Sequence, residues 1–225
     1  MGVTARRTIG RWLDGLLRGR VEFGVGLEPP ETRVLIGVIL FCGCGYGAVM
    51  GCFSGRPLQM FYSASKVPLL FGVTFVVSMP AFFVLNTLAG LRADFGDVLR
   101  ALAATQAGLT VILLSLAPLT LFWYVSCPDY SSAVVFNTLM FGAASVTGQV
   151  LLFRFYRGLV RRNPLHGTML KVWLVIFSFV GVQTGWMLRP FIGSPERPAE
   201  FVRTGEWSNA YVAVFRLFCK VVFSE

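Results

Sequence analysis

The chain has 225 residues, 55% hydrophobic and only 14% charged, whereas soluble domains carry about 25% charged residues, so this composition excludes an ordinary water-solvated surface. The net charge of +9, from 20 Lys and Arg against 11 Asp and Glu, sits mostly beside long apolar blocks. That placement points to anionic lipid as the counter-surface and sets nucleic acid aside.

In residues 1–30, Ile9, Trp12, Leu13, Leu16 and Leu17 recur at helical spacing, while Arg6, Arg7, Arg11 and Arg18 lie mostly elsewhere on the wheel. This predicts an amphipathic basic helix lying on the membrane interface, with those four arginines contacting anionic lipid. A cleavable signal is not expected, because Arg11 and Asp14 interrupt any apolar core region.

Five apolar spans follow at about 34–53, 67–91, 101–124, 133–153 and 172–192. Each reaches the length of about 20 residues that a helix crossing hydrocarbon needs. They define a transmembrane domain over 31–193, with Asp94 as the expected helix cap before span three. Pro80 and Pro118 lie inside spans two and three, which predicts kinks, with nearby Ser and Thr hydroxyls serving the freed carbonyls. After span four, Arg154, Arg157, Arg161 and Arg162 read as a basic loop. Residues 194–225 read as a polar linker and an amphipathic helix over 207–223, in which Arg216 and Lys220 interrupt the apolar run. The fold class is therefore an all-α, polytopic transmembrane helical bundle of five spans, with six as the alternative. Lys and Arg are concentrated in the N-terminal segment, Arg92–Arg100 and Arg154–Lys171. The positive-inside rule then places the N-terminus in the cytoplasm, and a bacterial inner membrane is the expected location.

Catalytic chemistry has little to draw on. The only histidine, His166, falls in an expected loop, the spans carry no ionisable interior residue, and the five cysteines form no C-x-x-C pair. No catalytic residue, metal site or cofactor is expected, and the chain reads as a non-enzyme. Cys52 and Cys127 emerge on the same side, so a disulfide between them is one option. Gly43, Gly47 and Gly51 in span one, and Gly181 and Gly185 in span five, repeat every four residues. Such grooves let a second backbone approach closely, serving either internal packing or oligomerisation. Asn86, Gln106, Gln149 and Gln183 are neutral polar residues inside spans; they either bond between helices or line a polar path. The leading functional expectation is a membrane scaffold or adaptor assembling with itself or other membrane proteins. The alternative is a channel or transporter for a small neutral or ionic solute.

The run Lys66-Val67-Pro68-Leu69-Leu70, then Pro80, Leu85-Asn86, Gly90, Phe95 and Val98-Leu99, resembles the early spans of bacterial polytopic proteins related to the Yip1 family. The resemblance covers about a third of the chain and implies five spans, a cytoplasmic N-terminus and a role in membrane trafficking or assembly. The acidic Asp-Leu-Tyr-Gly-Pro motif of the eukaryotic members is missing, and no functional residue is carried over.

Overall fold

Three of the long helices begin at or just after a proline, namely Pro57, Pro128 and Pro164. A computed structural model describes residues 32–194 and 198–202. It contains α1 (Thr32–Gly51), α2 (Pro57–Leu88), α3 (Phe95–Ser126), α4 (Tyr130–Arg162) and α5 (Leu165–Met187), and no strand among the described residues. All five helices are long and apolar enough to cross a membrane. The expected interfacial helix with Arg6, Arg7, Arg11 and Arg18, and the 207–223 stretch, lie outside the described residues.

The helices overrun the expected spans. Helices α2, α3 and α4 have 32, 32 and 33 residues, about 48 Å each at 1.5 Å per residue, so their ends stand beyond a hydrocarbon layer of about 30 Å. Hydropathy locates only the lipid-embedded portion, whereas backbone hydrogen bonding continues until a breaker. Span two therefore begins at Pro57, the N1 proline after Arg56, and not at residue 67. Span four continues through Arg162, so the expected basic loop is helix. Span five covers Leu165–Met187, which leaves 188–192 outside it. Asp94 precedes α3 without capping it through its side chain. Pro80 and Pro118 both sit within continuous helix. The Ser78 and Ser115 hydroxyls donate to the Thr74 and Ile112 carbonyls, and not to those of Val76 and Leu114 that the prolines free.

Helix α1 lies between α2 and α3, α4 packs on α3, α5 packs on α2, and α4 and α5 touch only sparsely. Two stacked apolar layers hold the bundle. One joins Leu35, Phe82, Val98, Phe155 and Trp173 at the end where α1, α3 and α5 begin, here the basic end. The other joins Tyr46, Val67, Leu113, Ala144 and Ile192 at the far end.

The α1 glycines face α2. A Cβ on Gly47 would overlap the Ser63 carbonyl oxygen, and one on Gly51 would stand 2.5 Å from Met60 Cα. Gly43 faces Pro68 at 3.4 Å by the same measure, and in α5 Gly181 and Gly185 face Thr74 and Leu70 of α2 at 3.4 and 3.8 Å. All five glycines thus serve contacts within the chain. Gly47→Leu is expected to lower stability in detergent by about 3 kcal/mol or more, since overpacking against backbone has no side chain to displace. Gly142→Ala, with nothing within 4 Å of the added carbon, is expected to hold or raise it slightly; thermal unfolding followed by circular dichroism reads both.

Candidate functional site

Where α4 and α5 fail to close the bundle, two cavities follow one another along its length, and a third lies among the other helices. At the far end, a cavity of about 450 Å³ lies between α4 and the Arg189–Ile192 segment, with Asn137 and Tyr130 in its wall. A middle cavity of about 390 Å³ is bounded by α2, α3, α4 and α5. A third, of about 520 Å³, lies between α1, α2 and α3 and reaches Thr32 and Arg100 at the basic end. Leu70 and Phe141 are shared by the far and middle cavities, and Phe71 and Gln106 by the middle and basic-end ones.

The middle cavity holds the polar chemistry. Thr74, Thr105, Gln106, Ser145, Gln149 and Ser178 contribute to its wall. Thr74 and Gln106 are 1% and 6% exposed, and Thr74 Oγ1 and Gln106 Oε1 have no hydrogen-bond partner. A buried oxygen left without a partner costs about 1–3 kcal/mol, and both residues belong to the wall of this cavity. Ser145, Gln149 and Ser178 are exposed, so the cavity opens sideways through the gap between α4 and α5.

Of the expected polar path, the structure brings Gln106 and Gln149 together and leaves the other two apart. Asn86 lies at the basic end of α2, where its Nδ2 donates to Phe82 O at 2.9 Å. Gln183 lines none of the three cavities.

Lys66 was expected outside the spans, but it lies inside α2 and is fully buried. Its Nζ donates to Pro190 O at 2.5 Å and Glu200 O at 3.4 Å, and stands 5.2 Å from the centre of the Phe201 ring. Nearby, Ser63 Oγ donates to Phe191 O at 2.5 Å and Tyr130 OH donates to Ile192 O at 3.3 Å. The segment after α5 is therefore strapped across α2 and α4 as a wall of the far cavity. Arg189 lies over the Trp186 ring, 3.2 Å from its centre, with Nε donating to Trp186 O at 3.1 Å. Beside it, Asn137 accepts from Tyr46 OH at 3.2 Å and donates to Tyr124 OH at 2.7 Å, which ties α1, α3 and α4 together.

His166, expected in a loop, falls in the first turn of α5 and is fully buried, with Nε2 3.2 Å from Asp94 Oδ2. Arg162 reaches Asp94 at 3.4 Å and Asp97 at 3.3 Å. The cluster joins the start of α3, the end of α4 and the start of α5. Cys52 and Cys127 are free thiols, which overturns the disulfide option; their sulfurs instead approach Met60 Sδ at 3.8 Å and Ser132 Oγ at 3.6 Å. Signals for both missed residues were present. Arg56-Pro57 is a helix-start pattern that puts Lys66 almost three turns inside α2, and Asn163-Pro164 does the same for His166.

No protein-family model, curated protein or solved structure matches the chain. Among the described residues, no three His, Cys, Asp or Glu gather in a way that would hold a metal ion.

Lys66→Met is expected to release the strap, because the carbonyls of Pro190 and Glu200 lose a charged donor. Hydrogen exchange over 189–202 should rise at least about tenfold, with helical content kept. Asp94→Ala is expected to lower the unfolding temperature more than Asp97→Ala does, since only Asp94 also reaches His166.

Proposed function

We propose that the chain is a non-enzymatic passage protein that carries a small, uncharged, hydrogen-bonding group across the bilayer through the cavities between its helices. The observation that carries this reading is the middle cavity between four helices, whose wall includes the polar residues Thr74, Thr105, Gln106, Ser145, Gln149 and Ser178. Gln106 also lines the basic-end cavity, so it stands between the two. Apart from Arg100 and Arg189, the charged side chains stay out of the three walls. A bare ion would lose its hydration in the middle without a charged partner, so a neutral hydrogen-bonding group is favoured.

The scaffold reading drew on the glycine spacing, and α2 occupies those glycines. A transmembrane helix about 10 Å across and 30 Å long fills roughly 2,400 Å³. The two cavities along the α4–α5 gap, of about 450 and 390 Å³, are at the scale of small ligands and far below that of a partner helix. The resemblance to Yip1-related proteins adds a compatible number of spans and no site residue. Arg33, Arg92, Arg100, Arg161 and Lys171 gather at the basic end; this supports a cytoplasmic N-terminus in a bacterial inner membrane, with anionic lipid around that end.

In proteoliposomes, glycerol entry measured by light scattering is expected to exceed that of empty vesicles. Gln106→Leu and Thr74→Val should each slow it about fivefold, the factor carried by one lost hydrogen bond, while Gln183→Leu leaves it unchanged. Glycerol entry in the wild type no faster than in empty vesicles would remove soluble solutes as the cargo, and equal rates in all variants would remove the middle cavity as the route.

A further inference from the structure

The glycines that bring α1 against α2 end at Gly43, and the residues that continue their face toward the basic end are bulky. Three, four and seven residues before Gly43 stand Leu40, Ile39 and Ile36, on the same side of the helix. At Gly47 an added Cβ would overlap the backbone of α2, whereas at Gly43 it would meet Pro68 at 3.4 Å. Past Pro68 the space between the two helices widens into the basic-end cavity of about 520 Å³, with α3 along its third side.

That cavity is an apolar groove open to the outside of the bundle. Ile36, Leu40, Val76 and Leu99 belong to its wall and are also exposed, so at this depth of a bilayer its surroundings are acyl chains. Along α1 the wall runs from Thr32 to Leu40, about 12 Å at 1.5 Å per residue, close to the roughly 15 Å that one leaflet contributes to the hydrocarbon core. The mouth carries a cation. Helix α3 has 32 residues from Phe95 and overruns the core by about six residues at each end, which places Arg100 at the hydrocarbon boundary. Arg100 stands 3.7 Å from Asp97 with its side chain 49% exposed, a surface pair of small worth, and Asp97 is also reached by Arg162 at 3.3 Å. The guanidinium fork keeps donors for a phosphate, and the exposed Arg33 follows Thr32 at the same end.

We infer that this groove is a binding site for one phospholipid of the basic-end leaflet, with an acyl chain seated between α1, α2 and α3 and the phosphate of an anionic headgroup on Arg100. Size, depth and charge select this occupant. A volume of about 520 Å³ is at the scale of a small ligand, far below the roughly 2,400 Å³ of a helix from a second copy or another protein. A phosphatidylglycerol head brings a phosphate without a cation, whereas a choline head sets its own cation beside Arg100 and Arg33. The inference goes beyond the passage reading and does not depend on it, because the head stays at the mouth and only an apolar chain enters. Phe71 and Gln106 border both this cavity and the middle one, so a seated chain closes the basic-end cavity against the passage.

Native mass spectrometry of the full chain, stripped of lipid in mild detergent and then given phosphatidylglycerol or phosphatidylcholine with matched chains, tests it. The expected result is one phosphatidylglycerol retained per chain, with phosphatidylcholine bound at least about fivefold more weakly, a difference of about 1 kcal/mol. Gly72→Leu fills the groove from a wall position where an added Cβ meets nothing within 4 Å; it should cut retention at least about fivefold with the thermal midpoint unchanged. Gly142→Leu, on α4 and equally open, should leave retention as it is, and Arg100→Gln should bring the two lipids to equal binding. Retention unaffected by Gly72→Leu overturns the groove as the site, and equal retention of the two lipids by the wild type overturns the role of Arg100. A dimer mass that Gly72→Leu abolishes assigns the groove to a second copy and overturns the inference. In the glycerol assay, entry that slows as phosphatidylglycerol replaces phosphatidylcholine supports the seated chain, and entry indifferent to it overturns the closure. No glycerol entry in any lipid removes the passage reading and leaves the lipid site to the mass measurement.

Discussion

Backbone contact between α1 and α2 at Gly47 and Gly51 governs where everything else in the bundle can go. With no side chain at those positions, α1 sits against the Ser63 and Met60 backbone, close enough for dispersion to replace the hydrophobic drive that lipid removes. The same helix also contacts α3, so α2 and α3 are held mainly through α1 and touch little themselves. Helices α4 and α5 then attach on α3 and α2, one on each. Five helices arranged this way leave their last pair unclosed, and the cleft is a consequence of the tight hairpin.

The fold pairs some of its buried polar groups and leaves others without a partner. Asn137 uses both ends of its amide on neighbouring tyrosines, and Lys66 is held by carbonyls of the strap. Asp94 serves Arg162 and His166 at the basic end. In hydrocarbon, such pairing removes the several kcal/mol that an unsatisfied polar group costs. Other buried polar atoms have no partner, among them Asn86 Oδ1 and His166 Nδ1 toward the basic end, Gln59 Oε1 toward the far end, and Thr74 Oγ1 and Gln106 Oε1 on residues of the middle cavity wall.

The ends of the bundle carry a different kind of constraint. At the far end, the strap after α5 closes one side of the outer cavity through Gln59, Ser63, Lys66 and Tyr130. At the basic end, the Asp94, Asp97, Arg162 and His166 cluster ties three helix termini together. The basic-end cluster includes the end of α4 and the start of α5, so it also ties those two helices at that end.

The five apolar helices among the described residues and their order were legible in the sequence, because apolar blocks of that length have no other solvent than lipid. The glycine spacing in α1 likewise announced a close helix contact, and Gln106 and Gln149 were legible as polar residues inside apolar spans. Sequence left open which helix the glycines would meet, since a groove fits a partner chain as well as a neighbour, and only packing assigned it to α2. It also cut the spans too short, because hydropathy ends at the charged residues while hydrogen bonding carries the helix past them; Lys66 and His166 were misplaced for that reason. The cleft belongs wholly to tertiary structure: it is made by two helices that do not meet, and the distance between surfaces far apart in the chain is set by how the helices pack, which no local pattern of residues encodes.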